Sequence, residues 1–261
     1  MWRGRWVRAV VAFGLTGALM GVVPSGAALP AYARCRPTAF VADGLNGSVS
    51  TIDVKTRTKK PADITVGSAP FGIALTPDGK TAFVTNRDGG TMSTIGVKTR
   101  AKNPNDIAVG PNPSGVAVTP DGRTAFVAHG ADVLGPIVPG SNTVSTIDVK
   151  TRTKNPNDIT VGMRAFSVKV TPDGRTAFVT NYASGTVSTI DVATRTKNPD
   201  DITVGANPVA VAFTPDGQTA FVTNQFSNTV STIDVKTRTK NPNDIGVSAL
   251  TLGVAITPCR Q

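Results

Sequence analysis

Chemistry needs particular side chains in particular company, and this chain offers few. It has one histidine, His129, two cysteines, Cys35 and Cys259, and seventeen acids that are all aspartate. A nucleophile, base and acid triad needs an imidazole near its nucleophile, and a zinc site needs several His or Cys ligands, so both are nearly excluded. The sequence calls for no metal and no cofactor. Two residues keep an enzymatic reading open. They are His129 and Lys169, the latter standing where matching segments carry Ala74, Ala117, Ala212 and Ala255.

The remaining chemistry recurs at fixed spacing, and the recurrence reveals the elements that must position it. Thr-Pro-Asp-Gly-x-Thr-Ala-Phe-Val begins at Thr76, Thr119, Thr171 and Thr214. Val-Ser-Thr-Ile-Asp-Val begins at Val49, Val144, Val187 and Val230, with a variant at Met92, and Asp-Ile-x-Val begins at Asp63, Asp106, Asp158 and Asp201. Each period of about 43 residues holds four short β-prone runs. In the last full copy these runs are 209–214, 219–224, 229–235 and 244–247. Pro presets one turn dihedral and Gly accepts a positive φ, so Thr-Pro-Asp-Gly makes a hairpin between the first two runs. Four antiparallel strands per period is the plan of a propeller blade. The fold predicted is all-β, a five-bladed β-propeller.

Thr38 lies one period before Thr81, so the repeats begin at a second strand, while Gly253-Val254-Ala255-Ile256-Thr257-Pro258 matches a first strand. The N-terminal strands are therefore expected to pair with the C-terminal strand and close the ring. Cys35 and Cys259 occupy the same aspartate position of the repeat, so a disulfide between them is expected across the split blade. It persists in an oxidising compartment.

Phe83-Val84-Thr85-Asn86, Phe178-Val179-Thr180-Asn181 and Phe221-Val222-Thr223-Asn224 resemble the signature of the YVTN β-propeller repeats, with Phe in place of Tyr. Phe40-Val41-Ala42-Asp43 and Phe126-Val127-Ala128-His129 are degenerate copies. The resemblance implies a secreted or surface-associated protein that works as a binding or structural module.

The N-terminus supports export. Arg3, Arg5 and Arg8 precede an apolar run from Ala9 to Val23 and a small-x-small site at Ala31-Tyr32-Ala33, so residues 1–33 read as a signal peptide and 34–261 as the propeller. No later segment is apolar enough to span a bilayer. Loss of three arginines takes the formal charge from +10 to +7, being 24 Lys and Arg against 17 Asp.

Two faces are expected to differ. One gathers the Lys-Thr-Arg links between third and fourth strands, with Lys55, Arg57, Lys98, Arg100, Lys150, Arg152, Arg195, Lys236 and Arg238 as a basic surface for cell-wall polymer, another anionic polymer or nucleic acid. A solvated, self-paired rim is the plainer alternative. On the other face the copies diverge, leaving Arg87, His129, Tyr182 and Phe226, together with Lys169, as ligand-face candidates. An insertion around residues 131–140 enters the same face. A non-catalytic binding or cell-surface interaction scaffold is the function favoured, for a polymer or a protein partner. A lactonase-like or lyase-like propeller enzyme and an electrostatic binder stay as alternatives.

Overall fold

A computed structural model describes residues 9–11, 37–130, 142–249 and 251–257. They form five copies of one antiparallel sheet. The second strands are Thr38–Asp43, Thr81–Asn86, Thr124–His129, Thr176–Asn181 and Thr219–Asn224. Each pairs residue for residue with a third strand, as in Thr124↔Asp148 through His129↔Thr143. Inner strands Pro70–Leu75, Pro113–Val118, Ala165–Val170 and Pro208–Phe213 complete sheets two to five.

The inner hairpin is built as its residues require. The Thr76 hydroxyl donates to Asp78 Oδ1 at 2.6 Å and accepts from the Thr81 amide, while Asp78 Oδ1 takes the Lys80 amide and Gly79 sits at φ 66°. The same bonds recur around Thr119, Thr171 and Thr214. These donors hold Asp78, Asp121, Asp173 and Asp216 below the ordinary 3.8, with the threonine hydroxyl the leading cause in each.

The fourth strand differs from expectation. It is two short pieces, such as Thr153–Lys154 and Ile159–Thr160, that pair with opposite ends of the third strand. Between them lies Asn155-Pro156-Asn157-Asp158, and Pro156 has no amide to give a ladder, so the chain steps out and returns. The detour is tied down by lysine and aspartate four residues apart, Lys154 Nζ to Asp158 Oδ1 at 2.7 Å, and likewise at Lys59, Lys102, Lys197 and Lys240.

Sheets stack through one repeated seam. Phe83, Met92 and Ile107 of the second sheet meet Val116, Ala125, Val127 and Ile147 of the third, and equivalent residues fill the other three seams. Glycine sets one contact. A Cβ at Gly67 would lie 2.5 Å from the Asn86 side chain, so the connector leaving one sheet can pass beneath the asparagine of the next only as glycine.

The expected closure is not seen. Residues 253–257 carry no strand, and the inner position of the first sheet is held by Ala9–Val11, paired Ala9↔Asp43 to Val11↔Val41. An open sheet edge accepts whichever apolar segment reaches it. Among the described residues no core joins the fifth sheet to the first. Ile245 is 49% exposed, whereas Ile64, Ile107, Ile159 and Ile202 are 7–8% exposed. Cys35, Cys259 and the insertion at 131–140 lie outside the described residues. Among the described residues no helix is long and apolar enough to cross a membrane.

Candidate functional site

The Lys-Thr-Arg turns are assembled from local bonds. Asp148 Oδ1 accepts the amide and hydroxyl of Thr151, whose hydroxyl also meets Thr153 at 2.7 Å. Asp191 and Asp234 do the same with Thr194 and Thr237. Backbone amide bonds lead in holding all three carboxyls below 3.8. The turn then forces its arginine into the left-handed region, with φ of 56° at Arg57, 54° at Arg100, 57° at Arg152 and 58° at Arg195 and Arg238. A non-glycine residue there costs on the order of 1 kcal/mol, and this chain accepts that at every turn.

None of Lys55, Arg57, Lys98, Arg100, Lys150, Arg152, Arg195, Lys236 and Arg238 joins an ion pair among the described residues. The second lysine of each motif is the one that the aspartate neutralises. Arg100 reaches back to the preceding sheet, donating from Nε to Thr51 Oγ1 at 3.0 Å and from a terminal nitrogen to the Ala62 carbonyl. The others on this face project from turns.

His129 is 1% exposed and occupies the place of Asn86, Asn181 and Asn224. In those sheets the asparagine donates to a serine, as Asn181 Nδ2 does to Ser188 Oγ at 2.9 Å. The imidazole reaches the equivalent serine, with Nδ1 donating to the Pro111 carbonyl at 3.0 Å and the unprotonated Nε2 2.8 Å from Ser145 Oγ. Ser145 Oγ is in turn 2.7 Å from Asp158 Oδ1. Serine lies between histidine and aspartate, so the order is not that of a nucleophilic triad, in which the imidazole is central. Burial holds the His129 pKa below 6.5, against the opposing pull of the Pro111 carbonyl and Asp158.

The other ligand-face candidates scatter. Arg87 Nε pairs with its neighbour Asp88 at 3.0 Å. Tyr182 is 6% exposed, and its hydroxyl donates to Gln225 Oε1 at 3.1 Å. Phe226 is 63% exposed. Lys169 is exposed and opposite Phe178, three residues along the strand from Asn181, which fills the place of His129 one sheet away. That offset is about 10 Å along a strand, so the two residues of the enzymatic reading are not brought together.

The structure adds a feature that sequence reasoning missed. Phe71 of the second sheet and Phe166 of the fourth meet edge to face at 5.5 Å, and Tyr182 lies 5.9 Å beyond Phe166. The third sheet has Ser114 at this level, fully buried and donating to the carbonyls of Ala128 and Ala165. The small residue leaves the rings of its neighbours free to touch. The available signal was Phe at one inner-strand position in two copies, 71 and 166, outside the Thr-Ala-Phe core set.

Five antiparallel sheets stacked through a common seam around converging inner strands define a β-propeller-type repeat protein. The chain belongs to the choice-of-anchor I domain family, whose model matches residues 88–248, more than half its length. It is similar in structure to the Kuenenia stuttgartiensis hydrazine synthase at a TM-score of 0.67 and 25% identity, over 77% of this chain and 60% of that one. It is also similar to a functionally unknown protein from Desulfotomaculum acetoxidans, at a TM-score of 0.72 and 18% identity, over 84% and 68% of the two chains. This chain thus spans under two thirds of the hydrazine synthase chain. No curated protein sequence matches it.

Proposed function

We propose that this is a cell-surface-associated β-propeller of YVTN-type repeats that serves as a non-catalytic binding scaffold. The observation that carries the reading is how the polar groups are spent. The imidazole, the buried serines and the hairpin aspartates are bonded within a framework copied from sheet to sheet, whereas the Lys-Thr-Arg cations are left without ion pairs on one face. The family's description as an anchor-bearing domain fits an extracellular setting, reached by removal of residues 1–33.

Electrostatic binding of an anionic polymer is the second reading, and the strained arginines favour it. Glycine or asparagine would relieve every one of those turns. Arg100 is kept for its bonds to Thr51 and Ala62, whereas Arg57, Arg152, Arg195 and Arg238 have no such partner among the described residues and are kept for what they meet outside. Retention of the protein on anionic cell-wall fractions, measured across a salt series, tests this. Retention that falls steeply with salt supports it, and salt-insensitive capture overturns it.

The scaffold closes as a five-bladed ring, with residues 253–257 replacing Ala9–Val11 once the leader is gone. Two deviations from the repeat support this. Gly67, Gly162 and Gly205 face Asn86, Asn181 and Asn224, and in the remaining seam the same positions hold Ser248 and Asp43, a hydroxyl donor and a carboxylate acceptor. Intact-mass analysis of the processed, unreduced protein is expected to find Cys35 bonded to Cys259.

A further inference from the structure

The five links that leave the third strands match in length, at 53–63, 96–106, 148–158, 191–201 and 234–244, but not in charge. The first carries four cations against two aspartates and the second three against one, a net +2 in each. The third and fifth, with three against two, stand at +1, and the fourth, with two against three, at −1. The basic face is therefore lopsided, with its positive charge centred on two adjacent sheets.

Each imbalance comes from a departure that the fold does not require. Gly96 stands where the other third strands end in aspartate, and the turn forms without that carboxylate, the Arg100 amide donating to the Gly96 carbonyl at 2.7 Å and the Thr99 hydroxyl to the same oxygen at 3.3 Å. Lys60 stands in the place of Asn198, whose Nδ2 donates to Thr189 Oγ1 at 2.9 Å in the fourth sheet. Lys60 forgoes that bond, and its Nζ lies 3.4 Å from Thr38 Oγ1 instead. The hydroxyl so released in the first sheet, Thr51 Oγ1, takes Arg100 Nε at 3.0 Å, and a terminal nitrogen of Arg100 reaches the Ala62 carbonyl. One arginine thus laces the two most positive links into a single patch. Around it Lys55, Arg57 and Lys98 are exposed and Lys60 is half-buried, and among the described residues none of the four joins an ion pair. The fourth sheet departs in the opposite direction, with Ala193 for the first lysine and Asp200 where the third and fifth links carry Asn157 and Asn243.

We propose that the basic face docks a phosphate-bearing cell-wall polymer off-centre, across the links of the first and second sheets. This rests on the electrostatic reading above and adds a place and a ligand chemistry to it. Salt confines the reach of each surface charge to about 8–10 Å, so a polymer responds to the links it lies on and not to the average of the face. Three of the four cations without an ion pair are lysines. Lysine serves phosphate as a point charge, whereas a planar carboxylate gains most from the arginine fork. Neither link carries an aromatic residue, so bases would find no stacking platform there. The net negative fourth link keeps the polymer from encircling the face.

The test compares two charge-matched variants of the processed full chain for binding to sodium polyphosphate across a salt series. One is Lys55→Ala with Lys98→Ala, in the first two sheets, and the other is Lys150→Ala with Lys236→Ala, in the third and fifth. Ala193 already holds this position in the fourth sheet, so both variants should keep the fold. The first is expected to lose about tenfold in affinity and about two units of salt slope, and the second less than about threefold. Equal losses would overturn the off-centre site while leaving the electrostatic reading standing, and salt-insensitive binding by the parent would end both. Tighter binding of duplex DNA than of polyphosphate would overturn the assignment of the ligand.

Discussion

His129 Nε2 lies 2.8 Å from Ser145 Oγ, the counterpart of the serine that an asparagine bonds in three other sheets. The pair makes the lone imidazole a framework residue, and its protonation bears on stability.

His129→Asn is expected to fold and to lose an acid sensitivity of the parent. The folded pKa lies below 6.5, so the unfolded chain takes up the proton first and stability is lost as pH falls below 6.5. The hairpin aspartates act in a lower window, since their stabilisation is lost as pH falls through and below 3.8. Urea denaturation at pH 7.5 and 5.5 should show a drop for the parent and little change for the variant. An equal drop in both would remove this account. His129→Ala, which leaves a cavity and an unpaired carbonyl, should cost about 2–4 kcal/mol.

Gly162→Ala should destabilise by about 1–3 kcal/mol, because its Cβ would come 2.5 Å from Asn181 Nδ2 beneath a packed seam. Gly246→Ala is the matched control, since nothing lies within 4 Å of a Cβ there. Thermal melts that rank the two alike would contradict the seam geometry.

Arg195→Gly should raise stability by about 0.5–1 kcal/mol by relieving a φ of 58°. Combined with the same change at Arg57 and Arg238, it should also elute earlier from an anionic resin. Stability gained while binding is lost separates the two roles of the turn, and unchanged elution would count against the basic face.

Ser248→Gly should weaken ring closure by about 0.5–1.5 kcal/mol in the processed chain, by removing a hydroxyl donor from the seam opposite Asp43. Asp43→Asn combined with Ser248→Gly rebuilds the pairing used at Gly67 and Asn86, and should recover the loss. Two changes that merely add would show that the residues do not meet.

Much of the fold was legible because it is local. Thr76, Asp78 and Gly79 specify their hairpin by bonds within six residues, and the alternation along Thr219–Asn224 fixes which side chains face each seam. The split outer strand was legible only in hindsight from Pro156, whose missing amide breaks the ladder. The site was harder to read. Phe71 and Phe166 are 95 positions apart and meet only because two inner strands converge past Ser114. His129 looked like a departure from the repeat freed for ligand, because nothing in its sequence neighbourhood announces that an imidazole can reach the same serine as an asparagine. The chain ends resisted for a different reason, since residues 9–11 and 253–257 are both apolar enough for one slot.

Each seam is chemically the same joint, with phenylalanine, isoleucine and valine from one partner and alanine, valine and isoleucine from the other. A joint of that kind is indifferent to which unit supplies its halves. Duplication or excision of one whole 43-residue period would leave every surviving joint correctly matched, whereas a cut at any other length would not. The gene can therefore lengthen or shorten in quantised steps, and the number of sheets becomes a heritable variable that drifts without renegotiating the packing.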